Sequence, residues 1–197
     1  MNRRHAATRR RVTALTLLAA CVFPGVHAGS ISTAQYGAER DRAQAAYRNA
    51  WDSCKKLQSS ARDRCKVEAK GQYQVAKAEL EVKYKPTPAR DDRVQVARAK
   101  AAYRLANAKC GDLGGNARDV CRMDAKASLV AAQNAIQVSR AAVDKGVNSR
   151  KANSARSEAL EENTDAQFAA ARERCGALAG DARSSCLGEA KRKFGKM

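Results

Sequence analysis

Residues 110–126 read CGDLGGNARDVCRMDAK. Residues 54–70 read CKKLQSSARDRCKVEAK, and residues 175–191 read CGALAGDARSSCLGEAK. The shared positions are C-x-x-L-x-x-x-A-R-x-x-C-x-x-[DE]-A-K, so one unit occurs three times, each copy with a cysteine pair. In a continuous helix, cysteines at this spacing would lie about 16 Å apart along the axis. A disulfide needs Cα atoms within roughly 7 Å. A helix broken midway into a tight hairpin brings the two cysteines face to face. The breaks are visible: Leu113 is followed by Gly114-Gly115, which tolerate a left-handed backbone, and then by Asn116, a favoured N-cap, with Asp119 in the first turn. Ser60 and Asp181 hold the position of Asn116 in the other copies, and Gly180 precedes Asp181. Ser59 stands before Ser60, so the first copy has the weakest turn signal. Other pairings of six cysteines are open in principle. The hairpin geometry favours Cys54–Cys65, Cys110–Cys121 and Cys175–Cys186.

Outward from these units the chain reads as all-α. Alanine, lysine, arginine, glutamate and glutamine dominate, and these are strong helix formers. Linking turns are expected at Lys85-Pro86-Thr87-Pro88 and around Lys145-Gly146-Val147-Asn148-Ser149. This gives six antiparallel helices, about 32–58, 61–84, 89–113, 117–145, 150–179 and 182–195, in three units (about 32–85, 89–145 and 150–197). The three crosslinked turns fall at one end and the two linking turns at the other. Apolar stripes run through Tyr36, Ala43, Tyr47, Ala50, Cys54 and Leu57, through Val96, Ala99, Tyr103, Ala106, Cys110 and Leu113, and through Thr164, Phe168, Ala171, Cys175 and Leu178. They are narrow and rich in alanine, like a coiled-coil seam. Each disulfide over a loop of this size contributes on the order of 3 kcal/mol in the chain-entropy account, which offsets a thin core.

The first 28 residues read as a secretory signal peptide, leaving 29–197 as the helical repeat domain. Arg3, Arg4, Arg9, Arg10 and Arg11 precede an apolar run from Val12 to Phe23, Pro24-Gly25 ends it, and Val26-His27-Ala28 offers a small-residue cleavage site. Leu18-Ala19-Ala20-Cys21 is an alternative signal, a lipobox in which Cys21 would be lipidated and tether the chain to a membrane. Thr8-Arg9-Arg10-Arg11-Val12 partly matches a twin-arginine signal. Loss of the leader removes five arginines and lowers the formal net charge from +18 to +13. It also removes His5, His27 and the odd cysteine. A chain without histidine has no Ser-His-Asp or Cys-His mechanism and lacks the commonest transition-metal ligand. An even cysteine count behind an export signal indicates a disulfide framework in an oxidising compartment, here the periplasm.

Three features could carry chemistry. The cysteines form no C-x-x-C and fit no zinc spacing, so a structural role is expected, with a thiol oxidoreductase as the remote alternative. Arg62, Arg118 and Arg183 recur in the first turn of each return helix, where the helix dipole disfavours a cation. They are candidate anion-binding residues, and salt bridges to Glu68, Asp124 and Glu189 are the plainer expectation. Lys70, Lys126 and Lys191 recur in the same way. The excess positive charge attracts anionic polymers. Aromatics are few and fall on the seams, so nucleic acid is a poor partner and an anionic envelope polymer a better one.

The hairpin motif C-x-x-L-x-G-[ND]-A-R-[DS]-x-C, the alanine- and lysine-rich background and the Y-K-P-T-P linker resemble exported proteobacterial proteins with C-x10-C helical hairpins. Some of these are called TolA-like cell-envelope proteins. The resemblance covers nearly the whole chain after the leader. It implies a helical fold and a periplasmic or envelope location and brings no established activity, and no cofactor is expected from the sequence. Ser59-Ser60 departs from its pattern. The expectation is therefore an exported, non-enzymatic structural or binding protein of the cell envelope, with a protein-interaction or lipoprotein module as the alternative.

Overall fold

The structure, a computed structural model, describes residues 30–196. The proposed leader and Cys21 lie outside the described residues. The described chain is all-helical: α1 Thr33–Cys54, α2 Ser59–Tyr84, α3 Pro88–Lys109, α4 Gly115–Lys145, α5 Arg150–Cys175 and α6 Gly180–Lys193, with a single 3-10 turn at Cys110–Asp112. Three disulfides close three hairpins, Cys54–Cys65, Cys110–Cys121 and Cys175–Cys186, with Cα–Cα distances of 5.5, 5.6 and 5.7 Å.

The hairpin tips share one backbone design. At the first cysteine the helix tightens, and the amide of the repeat leucine bonds back three residues: Leu57 to the Cys54 carbonyl, Leu113 to Cys110 and Leu178 to Cys175, each at 3.1 Å. Gln58, Gly114 and Ala179 are then extended, and Ser59, Gly115 and Gly180 are left-handed, with φ of 46°, 50° and 55°. The return helix starts at that residue. This corrects two expectations. The outgoing α-helices stop at Cys54, Lys109 and Cys175 rather than at 58, 113 and 179. Ser60, Asn116 and Asp181 lie inside the return helices, and Gln58, Gly114 and Ala179 occupy the N-cap positions without a side-chain cap. The linking turns follow their sequence signals. Thr87 caps α3 by accepting from the Arg90 amide, with Pro88 in the first turn, and Ser149 caps α5 by accepting from the Ala152 amide. Ser32 and Gln35 form a capping box on α1.

Helices pack on their neighbours in sequence, and among the described residues no other helix pair makes more than a marginal contact. The fold is therefore an open antiparallel array and not a closed bundle. Packing is most extensive for α4 on α5 and α2 on α3, the pairs joined by linking turns, and least for α5 on α6. The core is thin: its buried apolar residues are six alanines, three cysteines, Leu80 and Val94. Gly71 lets α2 and α3 approach so closely that a Cβ there would lie 3.0 Å from the Ala101 Cβ. Between α4 and α5, buried Asn134 donates to the Asn163 carboxamide at 3.1 Å. On α1 and α2 an aromatic ladder adds area, with Tyr47 stacked on Tyr73 at 4.9 Å and Tyr36 against Tyr84 at 4.7 Å.

The tips are neighbours along one end. Arg64 pairs with Asp112 between the first and second tips. Asn116 of the second tip donates to the Glu173 carbonyl beside the third at 2.7 Å. At the other end the Tyr36 hydroxyl donates to Glu81 at 2.5 Å, and Arg90 lies 3.7 Å from the same carboxylate.

Two predictions follow from this geometry. A serine in the left-handed region is strained where glycine is not. Ser59→Gly should raise stability by about 1 kcal/mol, whereas Gly115→Ala and Gly180→Ala should each lower it by about 1 kcal/mol; urea denaturation of the oxidised protein gives the signs. The hydrogen bond to Glu81 raises the Tyr36 pKa above 10.0, so the folded state keeps this proton longer than the unfolded state. That contribution is complete below the unfolded pKa and is lost as pH rises through the folded one. Urea midpoints compared between pH 8 and pH 11 (on the order of the tyrosine range) should therefore fall more in the parent than in Tyr36→Phe.

Candidate functional site

Each tip presents the same pair, a leucine and an arginine. The Arg62 guanidinium folds back and donates through Nε to the Leu57 carbonyl at 2.8 Å. Arg118 does the same to the Leu113 carbonyl at 2.6 Å. These carbonyls lie in the extended stretch between the helices, where no helical amide reaches them, so the arginine fills the gap. That is a local reason for keeping a cation in the first turn, and it corrects the expected salt bridges. Asp124 pairs instead with Arg174. Neither Glu68 nor Glu189 pairs with a tip arginine among the described residues.

The leucines of all three tips lie outside, whether or not the arginine is folded back. Leu57, Leu113 and Leu178 are 40, 41 and 42% exposed, although sequence periodicity placed them at the ends of the buried stripes. The stripe stops at the cysteines, which are 0, 0 and 1% exposed, because the helix itself stops there. One end of the array thus carries three half-exposed leucines, with Arg62 and Arg118 bonded to the carbonyls of the first two.

The third unit differs. Arg183 is exposed and makes no side-chain hydrogen bond to the Leu178 carbonyl among the described residues. It lines a cavity of about 590 Å³ over α5, walled by α6 and by Met123 of α4. Phe168 and Arg172 reach this cavity from successive turns of α5, with Gly176 just past its end, and Arg183, Leu187 and Lys191 do so from α6. Lys196 closes it and pairs with Asp165. Of the recurrent lysines, Lys191 faces this cavity, and Lys70 and Lys126 are exposed on their helices.

All six described cysteines are in disulfides. No cluster of three or more His, Cys, Asp or Glu side chains suited to a metal ion occurs among the described residues. No described helix is long and apolar enough to cross a membrane. No protein family, curated protein or solved structure matches the chain.

The arginine geometry is directly testable. Lysine keeps the charge but lacks the Nε donor. Arg118→Lys should cost about 1 kcal/mol, the scale of one lost hydrogen bond, and Arg183→Lys close to nothing. Urea midpoints of the two variants should differ in that order.

Proposed function

We propose that the chain is an exported, non-enzymatic structural or binding protein of the bacterial cell envelope, and that its hairpin end rests on an anionic envelope surface. One observation carries this reading: three tips at one end of the array each expose a leucine, and at the first two an arginine is folded against that leucine's carbonyl. Apolar side chains among cations suit a lipid headgroup layer, where the leucines enter the acyl boundary and the cations meet phosphate. The charge of +13 after removal of the leader adds long-range attraction. Two features support export to the periplasm: the leader pattern in residues 1–28 and the complete disulfide pairing of the described cysteines. A lipid on Cys21 would hold the same surface closer to the membrane.

Co-sedimentation of the chain from residue 29 with phosphatidylglycerol vesicles tests the reading. Binding should weaken steeply between low and physiological salt and should be absent on phosphatidylcholine vesicles. The triple variant L57S/L113S/L178S should bind about tenfold more weakly at fixed charge, since each leucine contributes a fraction of its transfer energy. Salt-insensitive binding, or equal binding by the triple variant, would count against it. Chemical crosslinking to one specific protein in envelope extracts, independent of lipid, would favour the protein-interaction alternative.

A further inference from the structure

The cavity over α5 lies between the third unit and Met123 of the second, and its lining combines two chemistries. Met123, Phe168 and Leu187 give it an apolar floor. Arg172, Arg183, Lys191 and Lys196 surround that floor, against the single carboxylate of Glu173 in the lining. Arg172, Arg183 and Lys191 make no ion pair among the described residues. Glu173 is engaged with the Asn116 carboxamide, and Arg172 lies over the Phe168 ring at 5.8 Å.

Comparison of the three units shows how the cavity arises. The position after the second cysteine is Lys66 in the first unit, Arg122 in the second and Leu187 in the third. Three residues before the first cysteine stand Trp51, Asn107 and Arg172. The third unit therefore exchanges a cation for an apolar residue at the floor and gains a cation at the rim. Its tip arginine faces the cavity, whereas Arg62 and Arg118 bond to their own tips. The helices α5 and α6 are fastened by the Cys175–Cys186 staple near the tip and by Phe168 against Phe194 at 6.2 Å further down. The cavity opens alongside this pair.

From this combination we infer that the cavity binds an anionic amphiphile, a lipid with a phosphate head and one acyl chain. The phosphate takes Arg183, Lys191 and Arg172, and the start of the tail lies on Phe168, Leu187 and Met123. A guanidinium with an unused fork suits phosphate. The volume falls among small-molecule sites, roughly 300–1,000 Å³, and holds a head with part of one chain. The inference rests on the envelope-anion reading and adds a defined site to it.

Isothermal titration of the oxidised chain from residue 29 with dodecyl phosphate, below its micellar concentration, tests the site. One molecule should bind per chain. Inorganic phosphate and dodecyl maltoside should each bind far more weakly, since each lacks half of the ligand. R183Q/K191Q changes two exposed side chains, so its fold and disulfides should persist, and it should lose about tenfold or more in affinity. K77Q/K100Q removes the same charge from the α2–α3 face and should leave affinity nearly unchanged. Leu187→Lys restores the charge type of the first unit and should weaken binding of the dodecyl chain while sparing inorganic phosphate. Equal losses from the two charge variants would overturn the site and leave diffuse attraction to envelope anions intact. Phosphate or maltoside binding as tightly as dodecyl phosphate would overturn it too, as would no binding. Vesicle binding lost without loss of dodecyl phosphate binding would sink the tip reading alone.

Discussion

The architecture depends on a staple placed where packing is poorest. Linking-turn pairs, α2 with α3 and α4 with α5, have the more extensive helix contacts, and the stapled pairs have less. A crosslink across a short loop acts mainly by limiting the unfolded chain, so it stabilises a hairpin without asking for large side chains between the helices. That is why the buried apolar residues are mostly alanine and half-cystine. The case is clearest for α6, which has fourteen residues and the weakest packing. An isolated helix of that length is marginal in water. The Cys175–Cys186 bridge and the Phe168–Phe194 pair hold it in place.

An array of this kind needs a means of fixing how adjacent helices slide, because alanine seams are nearly uniform along their length. Close approach at Gly71 and Ala101 fixes α2 against α3 at one point. The Asn134–Asn163 hydrogen bond does so for α4 and α5: displacement by a turn would leave a buried carboxamide unpaired. Cross-unit ion pairs such as Arg64–Asp112 and Arg174–Asp124 repeat the message at the surface. Exposed pairs of this sort contribute little each. Their value is in orientation: they set one tip beside the next.

Much of this was legible because the cysteine spacing admits few solutions. Helix class, six helices, local pairing and the linking turns all follow from residue chemistry. The tip register was not legible. At Gly114-Gly115-Asn116 a glycine that can end a helix adjoins a residue that can start one, and both assignments satisfy the sequence. The backbone resolves this by using Gly115 as the left-handed start of α4 and sending Asn116 across to Glu173. The role of the repeated arginine was hidden for a related reason. Its partner is a backbone carbonyl, and no residue type marks an unpaired carbonyl. Asn134 and Asn163 lie twenty-nine positions apart, and nothing in either neighbourhood announces the bond.

The difference between the first two tips and the third bears on how a duplicated unit acquires a site. In the first two, the arginine completes a backbone that would otherwise lack a donor. In the third, Gly180 still supplies the left-handed residue and the disulfide still closes the turn, so the tip forms without that bond. A stapled turn with a left-handed glycine thus keeps its geometry without the arginine bond. Without that bond the guanidinium can face outward, and a leucine at position 187 costs little in a helix that packs on one side only. A closed bundle would have buried this position and constrained it. The open array leaves it at the surface, where α5, α6 and Met123 of α4 can frame a cation-rimmed apolar hollow.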